Sequence, residues 1–85
     1  MADYNFPDLT GIEGLAQEYW NHDLVVADKK QSGLEWQTFL HYHVMNSFLN
    51  QNTDATLPLA AKQCANHYNL SKKNLLDDFK EYVGL

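Results

Sequence analysis

Apolar side chains recur along this chain at spacings of three and four residues, the period of a helix with one buried face. Ile12, Leu15, Ala16, Tyr19 and Trp20 fall at i, i+3, i+4, i+7 and i+8, with Glu13, Gln17 and Glu18 outside that stripe. Thr10 and Glu13 have the spacing of a capping box, so a first helix is predicted over about residues 11–21. Residues 1–9 lack periodicity and contain Pro7, which makes them an arm; its Tyr4 and Phe6 are expected to pack on the body.

The segment from Asn21 to Gly33 is ambiguous: its Leu-Val-Val-Ala run suits a short strand, a helical turn or a buried connection. Ser32 and Gly33 mark the expected start of a central helix, along which Leu34, Trp36, Phe39, Leu40, His43, Val44, Phe48 and Leu49 recur to about Asn50. Between Leu34 and Thr53 the only charged residue is Glu35, so this helix is either the core axis or a dimer seam. Thr56 and Pro58 fit the cap and first turn of a third helix, whose face is built from Leu59, Ala61, Cys64, Ala65 and Tyr68. Ser71 caps a fourth, with Leu75, Leu76, Phe79, Tyr82 and Val83 as its stripe and Gly84 at its expected stop. The pattern therefore predicts one all-α domain of four to five compact helices: an arm (1–9), a helical body (10–56) and a C-terminal helix-turn-helix unit (57–85).

Composition sharpens this picture. With 85 residues the chain makes one domain, and 45% apolar residues, including two Trp, four Phe and five Tyr, give it the dense core a small domain needs. The single Cys64 rules out an internal disulfide and points to a reducing compartment. No secretory signal and no stretch of membrane-spanning length is legible, so the expectation is a soluble, cytoplasmic protein without membrane contact. Charge is unevenly placed: residues 1–56 carry eight acids against Lys29 and Lys30, a balance of −6. Residues 57–85 carry four lysines against Asp77, Asp78 and Glu81, a balance of +1, for a total of −5 with no arginine anywhere. Such a surface argues mildly against a conventional nucleic-acid binder.

The terminal segment LAAKQCANHYNLSKKNLLDDFKEYVGL nonetheless has informative spacing. Ala65 allows close helix crossing, Leu70 plugs the turn, Ser71 caps, and Leu75 and Phe79 anchor the second helix. In the offsets of Ala65, Leu70, Ser71, Leu75, Phe79 and Gly84 the segment resembles the helix-turn-helix of the AraC family of transcriptional regulators, as a single unit over about residues 34–85. The resemblance implies a small regulator that holds duplex DNA through its last helix, with the central helix as support. Where that family usually carries arginine or another base-reading residue, this chain has Asp77 and Asp78. The candidate DNA contacts are Lys72, Lys73, Asn74 and Lys80, of which Asn74 can hydrogen-bond adenine.

Other constellations read as structural. His41 and His43, two apart on a helix, point to nearly opposite sides and cannot share a metal. Cys64 with His67 lacks the further ligands of a zinc site, Asp77-Asp78 reads as a solvated face, and no Gly-rich phosphate loop is present. No metal, cofactor or enzymatic activity is expected. The aromatic content exceeds what so small a domain can cover, which predicts a homodimer or partner interface of Trp36, Phe39, Leu40, Tyr42, His43 and Phe48. The alternative reading is an acidic protein-binding adaptor or antagonist, of phage or mobile-element type, that mimics DNA or caps a basic partner.

Overall fold

A computed structural model describes residues 3–85 and contains only helices among them. They are α1 (Leu9–His22), α2 (Leu24–Gln31), α3 (Trp36–Gln51), α4 (Leu57–Tyr68) and α5 (Lys72–Gly84). The molecule measures 42 × 22 × 22 Å. None of these helices is long and apolar enough to cross a membrane.

The helix ends explain the topology. Pro7 keeps the arm extended up to Asp8, and α1 starts immediately after, with the Ile12 N–H donating to the Asp8 carbonyl at 3.0 Å. Thr10 therefore lies inside the first turn rather than at the cap, and the Thr10–Glu13 capping box does not form. Asp23 ends α1 and begins α2: its N–H donates to Tyr19, while its carboxylate accepts from Val25 and Val26 at 2.8 and 3.1 Å. This double role turns the ambiguous segment into a helix. Ser32 and Gly33 then close α2 instead of opening α3. With Gly33 at φ +106°, its N–H reaches the Lys30 carbonyl and that of Leu34 reaches Lys29, a Schellman stop that drops Leu34 into the core. Helix α3 starts two residues later than expected, at Trp36.

Helix α3 is the core axis, in contact with α1, α4 and α5. One half of the core gathers Val44, Met45 and Phe48 of α3 with Ile12, Leu75 and the small Ala60, Ala61 and Cys64 of α4, which let α4 approach closely. The other half surrounds Phe39 with Ala16, Val26 and Leu34. Of the expected interface residues along α3, Phe39, His43 and Phe48 are buried within the single chain. Trp36, Leu40 and Tyr42 are half-buried and packed around Phe39, with Tyr42 stacked on Tyr82 at 3.9 Å between ring centres.

The arm is fastened at three points. Asn5 and Asn52 exchange backbone and amide hydrogen bonds at 2.9 and 2.8 Å, Phe6 stacks on His67 at 3.9 Å, and the Tyr68 hydroxyl donates to the Pro7 carbonyl. At the other end, Lys29 donates to the carbonyls of Tyr82 and Leu85 at 2.9 and 2.7 Å, placing a cation on the negative end of α5. Its ammonium also sits 4.5 Å from the Tyr82 ring centre.

Candidate functional site

The α4–α5 junction is built by three residues. Asn69 takes the left-handed conformation at φ 58° and ψ 50°, which asparagine tolerates better than most residues, and Leu70 donates back to the Ala65 carbonyl at 2.9 Å. Ser71 caps α5, its hydroxyl accepting from the Asn74 N–H at 3.3 Å. Leu75 is fully buried, while Leu70 and Phe79 are half-buried against the same core. The first turn of α5 is thus held rigidly while Lys72, Lys73 and Asn74 remain exposed.

Helix α5 sorts its charges by side. Asp78 and Glu81 turn towards α3: the Asp78 carboxylate accepts from His41 Nδ1 at 2.5 Å, and Thr38 donates to Glu81 at 3.3 Å. With Asn74, Glu35 and Gln37 they line a cleft of about 310 Å³ whose charged groups are all carboxylates. Asn74 therefore stands on the rim of an acidic cleft. On the outward side Lys73, Asp77 and Lys80 follow at i, i+4 and i+7, with Lys72 exposed one residue before them. Lys72, Lys73, Lys80, Asp77 and Glu81 are all exposed, so Asp78 is the one acid of the three that is half-buried.

The reading of Asp77-Asp78 as one solvated pair is corrected for Asp78, which is half-buried and paired with a buried histidine. That pairing joins residues 37 apart in sequence, so no local spacing could signal it. The Lys29 cap on α5 joins residues 53 and 56 apart and is equally invisible to local spacing. His41 and His43 diverge, the former to Asp78 and the latter stacked on Tyr19 with ring centres 5.4 Å apart. His67 lies against Phe6 rather than facing an ion with Cys64, and the Cys64 thiol is pushed up to about 12 by burial. Among the described residues, no group of three or more His, Cys, Asp or Glu side chains is placed to hold a metal ion.

Fold and site together define a class: a small all-α domain of five helices whose last two cross at a tight Asn-Leu-Ser bend. No known protein family, curated protein or solved structure matches the chain.

Proposed function

We propose that the chain is a small helix-turn-helix regulator that binds duplex DNA through α5. The observation that carries this reading is the exposure of Lys72, Lys73 and Lys80 on a capped, anchored helix from which Asp78 is withdrawn to His41. In helix-turn-helix docking the amino end of the second helix meets the major groove, and the positive end of its dipole adds to the attraction of Lys72 and Lys73 for phosphate. Lys80 extends the contact along the backbone, and Asn74 reads a base edge from the rim. The AraC resemblance of the terminal segment agrees with this arrangement. Three or four phosphate contacts give a plot of log affinity against log salt a slope of about −3.

Fluorescence anisotropy of a labelled random-sequence duplex between low and moderate salt tests the proposal. The expected result is salt-sensitive binding that falls at least tenfold in the Lys72→Glu, Lys73→Glu double variant. Binding that the double variant leaves unchanged refutes it.

The second reading, an acidic adaptor or antagonist that binds protein and no DNA, is favoured by the balance of −6 over residues 1–56 and by Asp77 within the lysine stripe. It predicts no retention on duplex DNA or heparin and a stoichiometric complex with one basic protein.

A further inference from the structure

A groove between α1 and α3 has the chemistry of a protein-docking surface. It consists of a cleft of about 280 Å³ between the helices and, adjoining it through Leu15, Tyr19 and Asp23, a depression of about 310 Å³ lined by α1 and Asp23 alone. Its α3 wall is the neutral polar stripe His43, Asn46, Ser47 and Asn50, spaced i, i+3, i+4 and i+7 on a helix without a single charged residue. Asn50 is exposed and Asn46 and Ser47 are half-buried, so the stripe offers neutral hydrogen-bonding groups of the kind that occur at the centre of a recognition surface.

Two observations indicate that the groove is incomplete. His43 is 7% exposed, lines the inner cleft, and its Nδ1 is the one fully buried side-chain nitrogen or oxygen without a hydrogen-bond partner among the described residues. An unmade bond of that kind is costly. Above it, Leu15 and Tyr19 stand one turn apart on α1 and are 48% and 42% exposed, an apolar ridge left in water on a short domain.

The charge around the groove identifies the occupant. Glu18, His22 and Asp23 line it and no lysine does, with one oxygen of the Asp23 carboxylate also capping α2. A second copy of this chain meeting it through the same face would bring the same carboxylates there. We propose that this groove receives a basic amphipathic segment of another protein. Apolar side chains of that segment rest on Leu15 and Tyr19, a hydrogen-bonding side chain enters beside His43 and Asn46, and flanking lysines or arginines meet Glu18 and Asp23. This surface is independent of the outward face of α5, so it stands whether or not α5 meets DNA.

The test uses the full chain, isotope-labelled for amide NMR, and a synthetic helical peptide with leucines and one asparagine on one face and lysines elsewhere. The patterned peptide is expected to shift the amides of Leu15, Tyr19, Asn46 and Asn50. A scrambled peptide of identical composition should bind at least tenfold more weakly. Leu15→Ala and Glu18→Lys, both at exposed positions, should each weaken the patterned peptide several-fold, while Lys72→Glu, Lys73→Glu leaves it unchanged. Equal binding of the scrambled peptide, or shifts spread over the whole acidic surface, would overturn the assignment. So would concentration-dependent shifts at these residues without peptide, which identify a second copy as the occupant.

Discussion

Asp77 and Asp78 are neighbours with the same side chain, yet their replacement by asparagine should have different consequences. Each substitution removes one negative charge from α5. Asp78 accepts from a histidine that is 7% exposed, and its own side chain keeps 21% of its exposure. The Asp78→Asn change would preserve shape and an acceptor oxygen but lose the charge in that hydrogen bond, a loss of about 1–2 kcal/mol; bonds to charged groups contribute about 1.5–3. The residual exposure keeps this below the roughly 3–5 kcal/mol of a broken, fully buried pair. In a domain of this size each kcal/mol lowers the melting temperature by about 4–8 °C. Asp77 is exposed, so Asp77→Asn should stay within about 0.5 kcal/mol of the parent. That substitution takes the one acid out of the outward lysine stripe and should tighten salt-sensitive DNA binding. Thermal unfolding followed by circular dichroism, with anisotropy on the same samples, measures both effects. Equal melting temperatures for the two variants would show that the His41–Asp78 contact does not fasten α5, and the charge sorting built on it would fall.

Three further outcomes follow from the helix ends and the core. Burial lowers the pKa of His43 below its ordinary 6.5, so on acidification the unfolded chain takes up a proton before the folded one. Stability should therefore fall as pH drops below about 6.5 towards the folded value, and urea midpoints at pH 7 and pH 5 should differ less in His43→Gln than in the parent. Cys64, fully buried with its thiol pushed up to about 12, should resist iodoacetamide at pH 8 until urea unfolds the chain, as mass spectrometry would record; fast labelling of the native protein contradicts the packing of α4. Asn69→Ala should destabilise by about 1 kcal/mol because alanine is strained in the left-handed region, while Asn69→Gly should not; equal urea midpoints for the two would argue against the bend.

Periodicity made α1, α3, α4 and α5 legible because each has a stripe of its own, whereas α2 buries only Val26. The stripe from Ile12 to Trp20, the Thr56 cap with Pro58 and the Ser71 cap all lie within a few residues of what they stabilise, and the structure places helices there. The errors share one cause. Ser32-Gly33 reads as a helix start from its residue types, but a glycine at φ +106° also makes a helix stop, and only its hydrogen bonds to α2 distinguish the two. Asp23 reads as one more acid because its role depends on a corner between two short helices. The charge-free run after Glu35 leaves core axis and dimer seam open, and α3's place in the core comes from contacts with α1, α4 and α5 that no local pattern encodes. The candidate site was legible as far as its exposed lysines. The acids that turn away from them do so through partners on α3, 37 and 43 residues distant in sequence.

Helix α5 joins the two proposed surfaces and also keeps them apart. Lys72 and Lys73 occupy its first turn, whereas Tyr82, which borders the inner cleft of the α1–α3 groove, is ten residues further on, about 15 Å along the axis. Between them the helix is tied to α3 through Asp78, and at its far end it is tied to α2 through Lys29. A helix fixed at its middle and at its end does not slide when one surface is occupied, so a partner in the groove should leave the lysine face where it is. The acidity of residues 1–56 disfavours a phosphate backbone on that half of the chain, and the same acidity favours basic protein segments at the groove. One uneven distribution of charge can in this way direct two different partners to opposite ends of a single helix.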